Sequence, residues 1–266
     1  MPEVAHPLEM AKLELLNLEL LNAEIVACTR CPRLRAHCAE VARVKRKAYA
    51  DWEYWGRPVP TFGDPGARIM ALGLAPGAHG SNRTGRPFTG DGSGDFLYPV
   101  LYEAGFASQP LARSRDDGMK LTDLFITSVA RCAPPANKPT PEELRNCASW
   151  LDREISLLGN LRVVVCLGRI AFDGLLAHIE RTADGSQLLP RSRYVFAHGA
   201  EFVLPGGLRA ITSYHPSLQN TNTGKLTRSM LLAVFKRARE LADVTPQEPR
   251  AGAAKSSTRR SKHGDR

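Results

Sequence analysis

The 266-residue chain lacks long apolar runs: no stretch approaches the roughly 20 consecutive apolar residues that a membrane-spanning helix requires. Met1 is not followed by the charged and then apolar segments of a secretory signal. We therefore expect a cytoplasmic protein with no membrane partner. In that compartment the six cysteines are not expected to form disulfides, so metal binding, catalysis or burial must account for them.

Two common nucleotide-binding signatures are also missing, although residues 73–94 are rich in glycine. Gly73, Gly77, Gly80 and Gly85 lie too far apart for a G-x-G-x-x-G motif, and no G-K-[S/T] follows. A dinucleotide cofactor or a P-loop is therefore not favoured. The chain also has no internal repeat.

The glycine-rich segment is typical of a ligand-binding loop. It follows the apolar run Ile69–Leu74, which predicts a buried strand, and it precedes a helix predicted over 95–105. Glycines let backbone amides approach a ligand, Phe88 offers a flat face, and Asp91 offers a carboxylate. Roughly 20 residues without periodicity inside a compact domain are usually functional.

Strands and helices alternate along the chain. Apolar runs predict four strands, at 69–74, 124–129, 163–167 and 210–214. Helices are predicted at 8–27, 95–105, 140–158, 169–179 and 226–241, and a small hairpin at 194–197 and 201–204. This alternation predicts the α/β class, a parallel sheet covered on both faces in a three-layer α/β/α sandwich. The ends of the first and fourth strands should share one cleft.

The net charge of +9 is concentrated in two segments. Residues 250–266 hold six Lys or Arg and one acid, which supplies +5, and their Ser, Ala and Gly content predicts disorder. Residues 30–47 carry seven basic residues against one Glu, and Trp52, Tyr54 and Trp55 follow. Basic and aromatic residues together favour nucleic-acid binding. The alternative is a solvated helix face followed by aromatic residues of the core.

Three parts are predicted from these patterns. Residues 1–27 form an N-terminal helical extension, residues 28–243 the α/β domain, and residues 244–266 a disordered basic tail.

Four cysteines are candidates for one metal site. Cys28 and Cys31 form a C-x-x-C pair after the first predicted helix, Cys132 follows the second strand, and Cys147 lies in the helix predicted over 140–158. Four thiolates bind either zinc or a [4Fe–4S] cluster. Because zinc usually pairs two compact C-x-x-C units, one such pair with two remote cysteines favours the iron–sulfur cluster.

The remaining two cysteines, Cys38 and Cys166, lie in different surroundings. Cys166 belongs to a predicted buried strand and is interpreted as a core residue, whereas Cys38 is an alternative ligand. A redox pair at Cys28 and Cys31 is disfavoured because no strand precedes it. Four unrelated buried thiols are the remaining alternative to a metal site.

A second motif follows the fourth predicted strand. Here His215-Pro-Ser217 leads into a polar loop that ends at Gly224, before the last helix. A histidine at this place can face the cleft and donate a proton or a hydrogen bond, although a lone histidine at a strand end is more often structural.

The motifs together resemble the uracil-DNA glycosylase superfamily. The resemblance rests on the segment 73–77, on Pro87-Phe88-Thr-Gly-Asp91, on His215-Pro-Ser217 and on the four cysteines, in that family's order. It is closest to the type-5 branch of iron–sulfur enzymes from bacteria and archaea, and it spans about residues 28–241. It implies a central four-stranded parallel sheet, a structural [4Fe–4S] cluster and removal of damaged bases from DNA.

The resemblance also assigns roles to individual residues. His215 matches the histidine that contacts the departing base, and Asp91 and Asn137 match polar residues near the attacked sugar and water. Phe88 matches the aromatic residue that stacks on the flipped base. The implied cluster ligands are Cys28, Cys31, Cys132 and Cys147; the further base-binding residues are Gly73, Ala75, Gly77, Ser128 and Ser217; the DNA-binding residues are Arg83, Leu218 and Lys225.

Two positions differ from other branches of the family. Where most branches carry an acid or amide that handles water, this chain has Leu74, so that Asp91 is our choice for that role. Where the type-4 branch carries an asparagine that reads uracil, this chain has Ser128. A small hydroxyl is expected to read the base less strictly, which predicts excision of hypoxanthine or xanthine besides uracil.

The expected activity is that of a monofunctional glycosylase, because no lysine is placed as a Schiff-base nucleophile. Its expected partner is double-stranded DNA that contains uracil or another deaminated base, and the protein is expected to be a monomer that acts at the nucleoid. Asp91 as a helix cap, Phe88 as a core residue and Asn137 as a turn residue are the structural alternatives. A non-catalytic iron–sulfur module that binds nucleic acid and a hydrolase of free nucleosides are the functional alternatives.

Overall fold

The computed structural model describes residues 7–182 and 189–244. The helices are α1 (Pro7–Val26), α2 (Pro32–Val44), α3 (Ser81–Thr84), α4 (Gly92–Glu103), α5 (Pro141–Leu157), α6 (Arg169–Thr182), α7 (Leu218–Asn222) and α8 (Arg228–Asp243). The strands are β1 (Phe62–Gly63), β2 (Ile69–Gly73), β3 (Leu124–Ser128), β4 (Val163–Leu167), β5 (Glu201–Val203) and β6 (Arg209–Ser213). Within this part of the chain, each helix is too short or too polar to span a lipid bilayer.

The strands form one sheet in the order β1-β3-β2-β4-β6-β5. Its four central strands, β3, β2, β4 and β6, are parallel and lie where the sequence predicts strands, which confirms the α/β class. The sheet as a whole is mixed rather than purely parallel, because β1 and β5 add antiparallel pairs at its two edges. These edge strands are only two and three residues long, too short to give a periodic signal.

The predicted hairpin between residues 194–197 and 201–204 is wrong. The strand β5 pairs with the following strand β6, with Phe202 opposite Ala210. Residues 194–197 instead belong to an irregular segment in which Tyr194 and Phe196 pack in the core beside β5.

Alternate side chains of the central strands enter two separate cores. In β2, Ile69 and Ala71 pack with one core and Met70 and Leu72 with the other, as the two-residue period of a strand requires. The first core is closed by α4 and α8, and the second by α5 and α6. Helices thus cover both faces of the sheet, in agreement with the predicted three-layer sandwich.

Helices α1 and α2 precede the sheet in the chain, and α1 packs along α5 and adds Leu18 to the second core. Leu21 and Ile25 of α1 pack against Trp150 of α5, and Leu34 of α2 packs beside Cys31 and Cys132. The division of the chain at residue 28 stays a prediction, and nearly all of the predicted tail, residues 245–266, lies outside the described residues.

Helix α5 begins where the sequence predicts. The Thr140 hydroxyl accepts a hydrogen bond from the Glu143 amide, and the Glu143 carboxylate accepts one from the Thr140 amide, so the predicted capping box is present. This start fixes the position of the helix that carries Cys147.

Candidate active site

A cavity of about 680 Å³ opens at the carboxyl ends of the parallel strands. It is bordered by the connections that leave β2, β3 and β6, so that the first and fourth predicted strands share a cleft, as expected. Most of the predicted base-binding and catalytic residues line it: Ala75, Gly77, Phe88, Asp91, Ser128, Asn137, His215 and Ser217. Leu218, predicted to contact DNA, lines it as well.

Phe88 is held in an unusual backbone conformation. Its φ angle is +50°, in the left-handed region that bulky residues rarely adopt, and its ring lies directly against Gly73. A Cβ atom at Gly73 would stand 2.9 Å from the Phe88 ring, so glycine is needed for this approach. Such strain persists only where surrounding contacts impose it, and it concentrates at functional sites.

Two contacts fix the residues directly before Phe88. The hydroxyl group of buried Tyr98 donates a hydrogen bond of 3.0 Å to the Pro87 carbonyl. The guanidinium of buried Arg86 makes two hydrogen bonds to the Asp117 carboxylate, at 2.7 and 2.8 Å. Sequence reasoning missed this buried ion pair, because its partners lie 31 residues apart and follow no motif.

Asp91 caps a helix and also lines the cavity. Its Oδ1 atom caps α4 by accepting hydrogen bonds from the amides of Ser93 (3.0 Å) and Gly94 (3.1 Å). Its Oδ2 atom points to the loop backbone, where a Cβ atom at Gly80 would stand only 1.8 Å away. Burial raises the pKa of Asp91, against the two amide hydrogen bonds that lower it. A carboxylate with a raised pKa is a better base at neutral pH.

His215 follows the last central strand and faces Phe88 across the cavity. The two ring centroids are 6.0 Å apart, with an angle of 32° between the rings. Burial lowers the pKa of His215 to about 4, so that the imidazole is neutral at neutral pH. The side-chain amide of Asn220 donates a hydrogen bond of 2.8 Å to the His215 carbonyl and fixes the backbone at this point.

The connection after β3 adds two polar groups. Ser128 is the last residue of β3, and its hydroxyl donates a hydrogen bond of 2.8 Å to the Ala130 carbonyl. The hydroxyl oxygen therefore faces the cavity as an acceptor. Asn137 and its neighbour Ala136 both have left-handed backbone angles, with φ of +57° and +53°, in a tight turn that brings Asn137 to the cavity.

The predicted DNA-contacting residues fall in different places. Leu218 is 56% exposed at the start of α7 beside the cavity, and its methyl groups pack against Gly92. Lys225 is exposed, and its ammonium lies 4.8 Å from the centroid of the Tyr214 ring.

Arg83 is buried, which corrects the prediction that it contacts DNA. Its guanidinium donates hydrogen bonds to the carbonyls of His79 (2.8 Å) and Gly90 (2.7 Å). It also stacks between the rings of Tyr49 and Trp52, at 3.9 and 4.0 Å. The side chain thus holds the glycine-rich loop in shape. Sequence reasoning could not locate it, because its aromatic neighbours come from a segment about 30 residues earlier.

In the basic segment 30–47, two of the seven basic side chains are paired with acids in the described part of the chain. Arg33 pairs with Glu143 and Arg43 with Glu40, while Arg30 donates to the Asn146 carbonyl and the Ser149 hydroxyl. Arg30, Arg33 and Arg43 thus contact the protein itself, whereas Arg46 and Lys47 are exposed.

The four predicted cluster ligands lie around the junction of α2, α5 and the segment after β3. Cys31 and Cys132 belong to one buried group, and Cys28 and Cys147 pack in the adjoining one. Burial, with a smaller effect of the neighbouring thiols Cys132 and Cys31, raises the pKa of Cys147 to about 11. Among the residues that the structure describes, no three His, Cys, Asp or Glu side chains already stand in metal-ligand geometry.

The chemistry of these sulfurs nevertheless fits a metal centre. Buried thiols that raise one another's pKa need a positive group between them before they can all ionise, and soft thiolates suit zinc or an iron–sulfur cluster. Cys38 also lies at this junction, against Cys132, and its thiol is 3.6 Å from the Ala133 carbonyl. The alternative ligand named from the sequence is thus close enough to remain one.

Another buried ion pair connects the cysteines to the sheet, and sequence reasoning missed it. Arg131, next to Cys132, donates hydrogen bonds to the Thr127 hydroxyl and to the Glu154 carboxylate. Arg131 and Glu154 are both fully buried, and Glu154 stands two turns after Cys147 on α5. The pair therefore locks α5 to the strand that ends at Ser128.

Comparison with known proteins gives the family. A model of the uracil DNA glycosylase superfamily matches residues 60–239. The type-5 uracil-DNA glycosylase of Thermus thermophilus is 55% identical over 220 residues, which are 83% of this chain and 96% of that protein. The type-5 uracil-DNA glycosylase of Pyrobaculum aerophilum is 45% identical over 214 residues, 80% of this chain and 88% of that protein. These matches confirm the resemblance found in the motifs, and the chain therefore belongs to the type-5 branch of the uracil DNA glycosylase superfamily.

Proposed function

We propose that this protein is a DNA repair enzyme that hydrolyses the N-glycosidic bond of uracil in double-stranded DNA and leaves an abasic site. The observation that carries the proposal is the meeting of Phe88, Asp91 and His215 in one cavity, in a chain that shares 55% identity with a type-5 uracil-DNA glycosylase. The named relatives act on uracil in DNA, and the cavity is large enough for a nucleoside.

The damaged nucleotide must first leave the duplex, because its glycosidic bond is unreachable inside the base stack. Extrusion costs a few kcal/mol and is easiest at a mismatch such as uracil opposite guanine. The base then stacks on the Phe88 ring, against the backbone of residues 73–77. The exposed side chain of Leu218 is placed to fill the gap in the base stack, and Lys225 to contact a phosphate.

Bond cleavage places positive charge on the sugar and negative charge on the departing base. His215 is neutral at the working pH, and its one ring N–H donates a hydrogen bond to the anionic base. The Asp91 carboxylate stabilises the sugar cation and takes a proton from the attacking water, and Asn137 orients that water. A hydrophobic Leu74 lines the same cavity, so the water is positioned by Asp91 and Asn137 rather than from the end of β2.

The Ser128 hydroxyl supports a broader base range. The Ser128 hydroxyl donates its hydrogen to the Ala130 carbonyl, so toward the cavity its oxygen acts as an acceptor. Such an acceptor can bind a base whose ring N–H lies beside a carbonyl group. Uracil, hypoxanthine and xanthine all carry that N–H, whereas cytosine and adenine present an unprotonated ring nitrogen there. We therefore propose that hypoxanthine and xanthine are also released.

Three further features belong to the proposal. Among the described residues that line the cavity there is no lysine, which supports a monofunctional enzyme without strand cleavage. Cys28, Cys31, Cys132 and Cys147 would hold a [4Fe–4S] cluster, with Cys38 as the alternative ligand, and the bound cluster would supply cross-linking of α2 to α5. The protein would act as a monomer on nucleoid DNA in the cytoplasm.

The test uses purified protein and labelled duplexes that contain one uracil·guanine, hypoxanthine·thymine or normal pair. Hot alkali reveals abasic sites, and a control without alkali reveals strand cleavage by the enzyme itself. We expect alkali-dependent product from the first two duplexes only. Binding without product on every duplex would leave the non-catalytic DNA-binding module as the function, and release from free nucleosides alone would leave the nucleoside hydrolase.

A further inference from the structure

A second imidazole lines the cavity and has no part in the proposed reaction. His79 lies in the glycine-rich loop between β2 and α3, half-buried at the edge of the cavity. Its carbonyl accepts the hydrogen bond of Arg83, so its backbone is fixed. Its side chain is therefore free to serve a ligand without a change in the loop.

The contact with Tyr54 orients this ring. The Tyr54 hydroxyl is 3.1 Å from His79 Nδ1, and its oxygen also accepts a hydrogen bond from the Arg46 amide at 3.4 Å. We assign the hydroxyl hydrogen to the contact with Nδ1, so that Nδ1 accepts it and the ring proton is on Nε2. Within the described part of the chain, Nε2 makes no hydrogen bond, so it is a free donor.

The charges around His79 are positive. Burial lowers the pKa of His79, and the nearby charges of Arg46 and Arg83 lower it further, so the ring is a neutral donor. Arg83 is buried, and its Nε and one Nη atom donate to the carbonyls of His79 and Gly90. The Arg46 side chain, by contrast, is exposed and forms no ion pair among the described residues. A neutral N–H donor beside a free guanidinium suits an anionic oxygen rather than a base edge.

We propose that His79 Nε2 and the Arg46 guanidinium together hold one backbone phosphate of the DNA strand beside the flipped nucleotide. Tyr54 is a positioning residue that acts through His79. The proposal rests on the proposed function, because it takes the DNA substrate as its ligand. Contacts of this kind fix the register of the DNA on the protein and carry no base information.

The contact is tested by a double-mutant cycle between the protein and the DNA. Each uracil duplex carries one uncharged methylphosphonate, at one of four positions: the two nearest phosphates on the 5′ side of the uracil or the two nearest on its 3′ side. Binding of each duplex is measured with the unchanged protein and with the His79→Ala protein. We expect His79→Ala to weaken binding about 10-fold, the size of one charge-assisted hydrogen bond, and the methylphosphonate to weaken it more, because Arg46 loses its partner as well. At one phosphate, the two changes together should weaken binding no further than the methylphosphonate alone.

Matched variants separate the contact from a general loss of structure. His79→Gln places an amide N–H near the position of Nε2 and should restore most of the binding. Tyr54→Phe should weaken binding in the unchanged protein but have no effect in the His79→Ala protein. Arg46→Gln should make the slope of log affinity against log salt shallower by about 1, because one phosphate contact is lost. Lys236→Gln, at an exposed lysine in the middle of α8, should leave that slope unchanged.

Two results would overturn the proposal. One is additive losses at all four phosphates, since independent effects exclude a direct contact. The other is a His79→Ala protein whose binding is unchanged but whose maximal rate of base release falls, since that places His79 in the chemical step. The double-mutant cycle measures binding alone, and its failure would refute only the phosphate contact. The proposed function would be refuted by a different result, the failure of the unchanged protein to release uracil.

Discussion

At the scale of single residues, the two oxygens of Asp91 can be tested separately. Asp91→Asn keeps an oxygen that caps α4 but removes the base. We expect base release to fall by about 100- to 10,000-fold, the usual contribution of a general base. Asp91→Ala should lose as much activity and also about 1 kcal/mol of unfolding free energy, because the cap is lost. Single-turnover release and urea denaturation measure the two effects.

An Asp91→Asn protein with full activity would show that the residue only caps the helix. In that case Asn137, the other polar group proposed near the water, becomes the residue to test.

His215 makes a prediction about acid stability. Its pKa is about 4 in the folded protein, against an ordinary 6.5, so between these values the unfolded chain binds a proton that the folded chain does not. Its contribution to stability is complete above pH 6.5 and is lost as the pH falls toward 4, by at most about 3 kcal/mol.

The comparison is with His215→Gln, which has no titrating group at this position. Urea denaturation at a series of pH values should show a shallower loss of stability below pH 6.5 in the variant than in the unchanged protein. Parallel curves for the two proteins would mean that the imidazole is not held neutral by burial.

Residues were predictable from the sequence where a motif carried them. The order of Phe88, Asp91 and His215 along the chain was enough to place all three in one cavity. Arg83 stands among them in the same loop, yet it is buried between Tyr49 and Trp52. Whether an arginine faces DNA or its own protein depends on neighbours that are distant in sequence, and no local pattern reports them.

At the scale of elements, the loop between β2 and α4 must approach Asp91 closely. A Cβ atom at Gly80 would stand 1.8 Å from Asp91 Oδ2 and 2.8 Å from its Cβ atom, so Gly80→Ala must displace the carboxylate. A displacement of about 1 Å in a catalytic group costs roughly 100-fold in rate. We expect that loss in single-turnover uracil release, beyond any change in melting temperature.

Gly66→Ala is the matched control, because a Cβ atom there meets only the Asp64 carboxylate at an ordinary 3.5 Å. It should leave the rate unchanged. Equal rates for both variants would show that the close packing of the loop on Asp91 has no part in catalysis.

The junction of α2 and α5 makes a prediction about metal content. Cys147→Ala should lose the iron of the purified protein and the visible absorption of an iron–sulfur cluster. Hydrogen exchange of the α2 and α5 amides should then accelerate, because these helices lose their cross-link. Cys166→Ala, in the core of β4, should keep its iron, as should Cys38→Ala if Cys38 is not a ligand.

Zinc in place of iron in the unchanged protein would contradict the cluster but keep the ligand set. If Cys38→Ala loses its iron and Cys132→Ala retains it, the fourth ligand is Cys38 rather than Cys132.

The sequence predicted the long, buried strands correctly and the short, exposed one incorrectly. The four central strands are buried runs of five residues, and the sequence located each of them to within one residue at either end. The edge strand β5 has an exposed residue at each end, and only its pairing with β6 defines it as a strand. The prediction from the sequence paired β5 with residues 194–197, the segment before it in the chain, and this pairing is wrong.

At the scale of the whole molecule, the positive charge is unevenly available to DNA. Many arginines of the folded part are paired with acids, as Arg153 is with Glu24 and Arg237 with Glu201. The segment 250–266 supplies +5 of the net charge of +9 and has one acid. We infer that this segment provides much of the non-specific attraction to the phosphate backbone, while the cavity decides which base is released.

Replacing the six basic residues of 250–266 by glutamine tests this inference without changing the length of the chain. Because each neutralised phosphate contributes about 0.9 to the slope of log affinity against log salt, the slope for undamaged DNA should become shallower by up to about 5. The single-turnover rate on uracil-containing duplex at saturating protein should not change, since no step of base release uses these residues. An unchanged slope would place the phosphate contacts on the folded domain instead, where Arg46, Lys47 and Lys225 are the exposed basic residues to replace next.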